Sequence, residues 1–140
     1  MTNPLAKELL EAAAAASERA YCPFSRYSVG AALRTPGGST YSGCNVENAS
    51  YGLTNCAERS AVFAAVAQGD REFSHIAIVA DGDQVPYPCG ACRQVLAEFC
   101  GPDLQVYIAS RSRLDAFESL TLGELLPKTF SLEEPTDADG

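Results

Sequence analysis

Basic side chains are scarce in this 140-residue sequence, which also lacks tryptophan. Ten lysines and arginines stand against 18 aspartates and glutamates, so the formal net charge at pH 7 is −8. An acidic chain repels phosphate backbones, and no run of basic residues offsets that repulsion. Nucleic acid is therefore not an expected partner.

The sequence also lacks any stretch of 18 apolar residues, so we expect no membrane-spanning segment. The apolar N-terminal run is interrupted by Glu8 and Glu11 and has no basic start, which argues against a signal peptide. We expect a cytoplasmic protein, in which cysteines pair poorly as disulfides. Clustered cysteines in that compartment indicate a metal site or a catalytic thiol. The chain has six: Cys22, Cys44, Cys56, Cys89, Cys92 and Cys100.

Neither an internal repeat nor an interior linker is present, so we predict one domain over residues 1–130 and a frayed, acidic tail over 131–140. Asn3 and Pro4 predict the start of a first helix, and further helices are predicted over 56–67, 90–99 and 122–126. Strands are predicted over 27–33, 40–44, 76–80, 104–109 and 114–120. This alternation predicts an α/β fold in which helices cover a sheet, and the opening hairpin makes that sheet mixed.

Three cysteines stand at predicted helix starts. Cys89 and Cys92 have a C-x-x-C spacing that lets both sulfurs reach one metal ion, although a redox pair has the same spacing. Cys56 begins the preceding helix, whose positive end favours the thiolate that binds zinc. Three ligands with one open position are typical of catalytic zinc, whereas structural zinc usually has four protein ligands.

The remaining candidates for a fourth ligand have no metal-type partner nearby in the sequence. His75, the only histidine, begins a predicted buried strand and is expected to be an ordinary strand residue. Cys22, Cys44 and Cys100 are expected to be small, mostly buried thiols.

Glu58 has two possible roles. Asn55 and Glu58 match a loose capping box, in which Asn55 caps the helix and Glu58 stands three residues later. Beside an open zinc position, the Glu58 carboxylate is instead well placed to move protons. Arg59 is either a solvated surface charge or a partner that offsets the net charge of −1 left by zinc and three thiolates.

At this point the sequence resembles a known family. Cys56-Ala57-Glu58 followed by residues 88–92 is similar to the signature of zinc-dependent deaminases, including the three-cysteine variant and the glutamate that is not a ligand. Residues 23–32, 43–51 and 125–127 with Phe130 resemble further motifs of cytidine deaminases. The resemblance covers roughly residues 5–130. The sequence is most similar to the short, homotetrameric type of cytidine deaminase. Tyr27 departs from it, because many members have phenylalanine there.

The resemblance implies a three-layer fold, with a mixed sheet of about five strands covered by helices on both faces. It implies one zinc per chain, bound by Cys56, Cys89 and Cys92, with Glu58 as the catalytic residue and Arg59 as charge compensation. It also implies that Asn45 and Glu47 bind the ribose and that Phe24 and backbone groups of Ala57 and Cys89 contact the nucleoside. Tyr51 and Phe130 are expected at a site shared between subunits.

The implied activity is that of a hydrolase of pyrimidine salvage, which converts cytidine, and 2′-deoxycytidine, to uridine or deoxyuridine and ammonia. One alternative is a blasticidin-S-type or other small-molecule aminopyrimidine deaminase, although the segment with Asn45 and Glu47 favours a free ribose. An editing deaminase acting on polynucleotides conflicts with the charge of −8. A structural zinc or thiol module would need a fourth ligand and would leave Glu58 without a role.

Overall fold

The first helix begins where a capping side chain and a proline coincide, as predicted. In the computed structural model, which describes residues 3–132, α1 spans Pro4–Ser17. The Asn3 side chain accepts a hydrogen bond from the backbone N–H of Ala6 at 3.1 Å. Proline at the first helical position loses no hydrogen bond, because that N–H has no partner inside a helix. Residues 133–140, which include most of the predicted acidic tail, lie outside the described residues.

The other elements follow the predicted order with small shifts at their ends. β2 and α3 have the predicted bounds, and β1, β3 and β4 begin within two residues of them. The elements are β1 (Val29–Arg34), β2 (Thr40–Cys44), a 3-10 turn (Tyr51–Leu53), α2 (Ala57–Ala67), β3 (His75–Ala80), α3 (Gly90–Phe99), β4 (Gln105–Ser110), β5 (Glu118–Thr121) and α4 (Leu122–Leu125). In the part of the chain that the structure describes, no helix is long and apolar enough to cross a bilayer.

The prediction of a strand over 114–120 was wrong in its first half. Residues 111–116 form consecutive turns, with the Arg113 N–H bonded to the Ser110 carbonyl at 3.0 Å and the Ala116 N–H bonded to the Arg113 carbonyl at 3.1 Å. Leu114 and Phe117 still pack against the core beneath α1. Their apolar character reflects this packing and is not a sign of strand pairing.

The sheet is mixed, as predicted. Its strand order is β2-β1-β3-β4-β5, with β3 and β4 parallel and the other neighbouring pairs antiparallel. The connection between the parallel strands contains α3, as a crossover of this kind requires. β3 is the central strand and is buried along nearly all its length, which explains its continuous apolar sequence.

Helices cover both faces and complete the predicted three layers. Leu9 and Leu10 of α1 pack on one face with Val79 of β3. On the other face, Val62 of α2 and Leu96 of α3 join a larger cluster that contains residues of β1, β3 and β4. Both clusters consist of fully or nearly fully buried apolar side chains, so burial of these two faces drives the fold.

Two glycines let the helices approach the sheet closely. A Cβ on Gly30 would collide with the Ala13 carbonyl oxygen of α1. A Cβ on Gly43 would lie 2.5 Å from both the Ala57 carbonyl oxygen and the Ala61 nitrogen of α2. The Gly43 contact fixes the N-terminal end of α2 against β2, next to the chain that leaves the sheet after Cys44.

Candidate metal centre and active site

The three predicted ligand cysteines lie together. The Cys56 and Cys89 sulfurs are 3.9 Å apart, the Cys89 and Cys92 sulfurs are 3.3 Å apart, and all three lie within 4.8 Å of one another. In a tetrahedral site with Zn–S bonds of about 2.3 Å, neighbouring sulfurs lie about 3.8 Å apart. The donor set therefore fits one zinc ion per chain.

Two helix N-termini bring these sulfurs together. Cys56 is the N-cap of α2 and Cys89 is the N-cap of α3, and both have extended backbone conformations. Neither side chain makes a capping hydrogen bond, so both sulfurs remain available to a metal. Cys92 lies in the first turn of α3 and is fully buried. The positive ends of two helix dipoles meet here and favour thiolates.

Within residues 3–132, the cluster of metal-ligating side chains consists of these three cysteines. His75 instead contacts the Ser74 hydroxyl through Nδ1 at 2.7 Å and stacks on Tyr107. The Cys22 sulfur lies 3.5 Å from the Ser28 hydroxyl, and Cys100 ends α3, where burial raises the pKa of its thiol to about 12. This donor set leaves a fourth position open to water or substrate, the arrangement of catalytic zinc.

Arg59 contacts one of the three candidate ligand cysteines directly. Its Nη2 donates a hydrogen bond to the Cys56 sulfur at 3.2 Å. Hydrogen bonds from Cys92 and Arg59 hold the pKa of the Cys56 thiol below its ordinary value, against the effect of burial. In return, the hydrogen bond to Cys56 raises the pKa of Arg59. The Arg59 Nε atom is buried, without a hydrogen-bond partner in the described part of the chain.

Glu58 is a buried carboxyl group in the first turn of α2, with 5% of its surface exposed. The capping-box hypothesis is wrong, because the N-cap is Cys56 and Asn55 instead donates a long hydrogen bond from Nδ2 to the Ser60 hydroxyl at 3.4 Å. Burial is the main reason that the pKa of Glu58 is raised to about 7. A buried carboxyl group with no capping role is typical of a functional site.

A cavity of about 340 Å³ opens beside the sulfurs, and we call it the site cavity. Its lining includes Cys56, Ala57, Glu58 and Cys89, and its volume is in the usual range for small-molecule sites. Ala57 lies at the border of the cavity, although 0% of its own surface is exposed. A larger cavity of about 760 Å³ lies between the start of α1 and residues 111–117, away from the sulfurs.

Asn45 and Glu47 also line the site cavity, and each has a structural role as well. The Asn45 side chain accepts a hydrogen bond from the Val29 N–H at 2.9 Å and donates one to the Tyr27 carbonyl at 2.8 Å. The Glu47 carboxylate accepts the backbone N–H groups of Phe24 and Ser25 at 2.9 and 3.1 Å, together with the Ser25 hydroxyl. The bond from that hydroxyl contributes most to lowering the pKa of Glu47.

The three aromatic candidates lie at the periphery. The rings of Phe24 and Tyr51 meet edge to face with centroids 6.5 Å apart, and both are largely exposed. They line a second cavity, of about 390 Å³, that shares Ser25, Glu47 and Thr54 with the site cavity. Phe130 is 68% exposed and is not among the residues that line the site cavity of its own chain. Its carbonyl accepts a hydrogen bond from Gln94 of α3 at 3.0 Å.

Sequence reasoning missed several residues that line the site cavity, namely Ser25, Tyr27, Val29, Thr54, Asn55, Pro86 and Tyr87. Ser25, Tyr27 and Val29 lie within segment 23–32, and Thr54 and Asn55 directly precede Cys56, so their place in the sequence was the available signal. Pro86 and Tyr87 lie in the loop before Cys89, which has no helical or strand periodicity to indicate its orientation. Burial is the main reason that the pKa of Tyr27 is raised, and the Glu58 and Asp81 carboxylates add to it.

A three-layer α/β fold with three sulfurs, an open ligand position and a buried carboxyl group defines the class of zinc-dependent hydrolytic deaminases. The family described as the cytidine and deoxycytidylate deaminase zinc-binding region matches residues 4–108. A protein named cytidine deaminase from Halalkalibacterium halodurans is 49% identical over 129 residues, which are 92% of this chain and 96% of the relative. Another protein of that name, from Sporosarcina psychrophila, is 46% identical over 128 residues, covering 91% of this chain and 93% of the relative.

Solved structures support the same family assignment. The crystal structure of cytidine deaminase from Burkholderia pseudomallei superposes with a TM-score of 0.84 at 48% identity, covering 93% of this chain and all of that one. The chain belongs to the cytidine deaminase family. The resemblance inferred from its motifs and the predicted fold are both confirmed.

Proposed function

We propose that this protein deaminates cytidine, and 2′-deoxycytidine, by hydrolysis, and that it releases ammonia and uridine or deoxyuridine. The observation that carries this proposal is the buried Glu58 carboxyl group, which lines the same cavity as the ligand sulfurs of Cys56 and Cys89. When bound, zinc acts there as a Lewis acid and lowers the pKa of water at the open position.

Glu58 moves the protons of the reaction. It takes a proton from the attacking water and delivers it to N3 of the pyrimidine as the oxygen bonds to C4. It then helps to move the remaining proton of the added hydroxyl group to the amino group. The C4–N bond breaks, ammonia leaves, and the oxygen on C4 becomes the carbonyl of the product. Burial suits this role, because a carboxyl group shielded from bulk water exchanges protons with the substrate and the attacking water rather than with solvent.

Cys56, Cys89 and Cys92 hold the zinc in this proposal, and Arg59 offsets part of the excess negative charge. Zinc and three thiolates sum to −1, which weakens the ion as a Lewis acid. The guanidinium hydrogen bond to the Cys56 sulfur withdraws electron density from one ligand.

The nucleoside lies along the site cavity, with its base near the sulfurs and its sugar near Asn45 and Glu47. Backbone groups of Ala57 and Cys89 bind the edge of the base, and Phe24 contacts the nucleoside at the mouth. The hydrogen bonds that Asn45 and Glu47 make within the chain hold both side chains in place for the ribose hydroxyls. Preorganised polar groups of this kind reduce the cost of ordering on binding.

The proposed assembly is a homotetramer in which subunits share their sites. Tyr51 and Phe130 are large, exposed aromatic side chains, and Phe130 does not line the cavity of its own chain. A neighbouring subunit that received the Phe130 ring would bury it and close the cavity over the base. The deaminase domain in this proposal spans residues 1–130, and the protein acts in pyrimidine salvage in the cytoplasm.

The test follows the loss of cytidine absorbance and the release of ammonia with purified protein of measured zinc content. We expect about one zinc per chain and equal amounts of uridine and ammonia. The matched pair of variants is Glu58→Gln, which removes the proton carrier, and Glu72→Gln, which alters an exposed acid in the loop before β3. A wild-type chain without turnover, or turnover of blasticidin S far above that of cytidine, would contradict the proposal.

A further inference from the structure

One side chain of the site cavity is tied to a distant part of the fold. Tyr87 lies in the loop before Cys89, lines the site cavity and is half exposed. Its hydroxyl donates a hydrogen bond to the Glu118 carboxylate at 2.6 Å. Glu118 is the first residue of β5, the edge strand of the sheet, and is 31 residues away in sequence.

The neighbouring backbone is held independently of this hydrogen bond. The Tyr87 N–H bonds to the Val85 carbonyl at 3.0 Å, and Arg93 Nε donates to the Pro88 carbonyl at 2.7 Å. Arg93 also donates from Nη1 to the Leu125 carbonyl of α4 at 2.7 Å. These contacts hold the main chain on both sides of Tyr87. The hydroxyl bond to Glu118 restrains the direction of the half-exposed ring.

We infer that Tyr87 is a substrate-positioning residue of the site cavity and that Glu118 sets the orientation of its ring. The inference rests on the proposed function. It adds that the Tyr87 ring contacts the nucleoside on the side of the site cavity next to Cys89. A ring already held in place loses little rotational freedom when substrate binds, whereas a released ring must be ordered at that moment. Loss of the hydrogen bond therefore weakens binding more than it slows the chemical step.

The fold supplies a matched control for this pair. Tyr41 of β2 donates a hydrogen bond from its hydroxyl to the Asp70 carboxylate, which follows α2. α2 begins at the sulfurs and ends near Asp70, so its 11 residues place this pair about 16 Å from the metal centre along the helix. The two pairs share their chemistry, but only Tyr87 lines the site cavity.

The experiment compares Tyr87→Phe, Glu118→Ala, their double variant and Tyr41→Phe. For each we would measure kcat and KM for cytidine, uridine affinity by calorimetry, zinc content and melting temperature. Tyr87→Phe and Glu118→Ala should each weaken uridine binding and raise KM by about 2- to 10-fold, the range that one hydrogen bond allows, with kcat and zinc nearly unchanged. The double variant should be no worse than either single variant, because both remove the same interaction.

Two further comparisons separate positioning from general stability. Glu118→Gln keeps an acceptor oxygen and should retain most of the wild-type affinity, while Tyr41→Phe should change only the melting temperature. Unchanged constants in Tyr87→Phe and Glu118→Ala, additive losses in the double variant, or an equal KM rise in Tyr41→Phe would each overturn the inference. A wild-type chain that neither turns over cytidine nor binds uridine would contradict the proposed function as well.

Discussion

The position of α2 depends on a glycine, and this dependence yields a quantitative prediction. Gly43 lies where β2 meets the first turns of the helix that carries Cys56, Glu58 and Arg59. In Gly43→Ala, the new methyl group would lie 2.5 Å from both the Ala57 carbonyl oxygen and the Ala61 nitrogen. These are backbone atoms, so rotation of a side chain cannot relieve the contact.

The magnitude follows from that distance. Ordinary contact begins near 3.4 Å, so the helix and the strand must separate by about 0.9 Å. Overpacking of this kind lowers the free energy of unfolding by about 1–3 kcal/mol. The same movement displaces Cys56 and Glu58 relative to α3, and zinc–ligand distances tolerate only about 0.2 Å. A misplacement of about 1 Å typically costs on the order of 10²-fold in rate, so we expect a loss of that size in kcat/KM.

Gly123→Ala provides the control. Its methyl group would lie 2.9 Å from Cβ of Pro102, a close contact in a part of the chain that carries none of the sulfurs. Urea unfolding, zinc titration and steady-state kinetics on both variants separate stability from site geometry. Both should unfold at lower urea, but only Gly43→Ala should lose zinc affinity and activity. If Gly43→Ala kept wild-type zinc affinity and kcat/KM, the claim that Gly43 positions α2 would be refuted.

Three further predictions concern the site and the assembly. Glu58→Gln should keep its zinc and its fold, but its kcat should fall by about 10²- to 10⁴-fold or more. Near-normal turnover would show that Glu58 takes no part in the reaction. Arg59→Gln should lower kcat/KM or zinc affinity by about 10- to 100-fold, because the variant loses a hydrogen bond to a charged group. The control is Arg71→Gln, at an exposed position, which should change neither quantity. Native protein should scatter light as a particle of four 14.8 kDa chains. Phe130→Ala should keep that mass and its zinc but raise KM by about 10- to 100-fold, the loss of one stacking contact, and a fully active monomer would exclude shared sites.

Much of the fold was predictable because local signals and packing agree. Asn3 and Pro4 mark the start of α1 through capping, and the apolar run of β3 marks the central strand through burial. The start of β5 was not predictable from the same signals. Leu114 and Phe117 are apolar because they cover the core beneath α1, and apolar character alone does not distinguish a strand from a packed turn.

The cluster of candidate metal ligands was predictable because the spacing of the three cysteines and their position at helix starts have a direct chemical meaning. Spacing alone favoured the capping interpretation of Glu58, and the burial of the carboxyl group and the identity of the N-cap excluded it. Tyr87 could not be predicted, because its hydrogen bond to Glu118 joins a loop without periodicity to an edge strand. A contact of this kind depends on tertiary structure alone.

The arrangement of the three sulfurs has a consequence for the chain as a polymer. Cys56 and Cys89 are 33 residues apart and belong to different helices, so a metal bound by both closes a loop through α2 and β3. A cross-link across a loop of that length removes entropy from the unfolded chain worth roughly 4 kcal/mol, by analogy with a disulfide. The zinc ion is thus expected to act as a reversible cross-link that stabilises the folded chain. A chelator should lower the melting temperature as well as the activity, so loss of the ion would weaken the tertiary structure along with the catalyst.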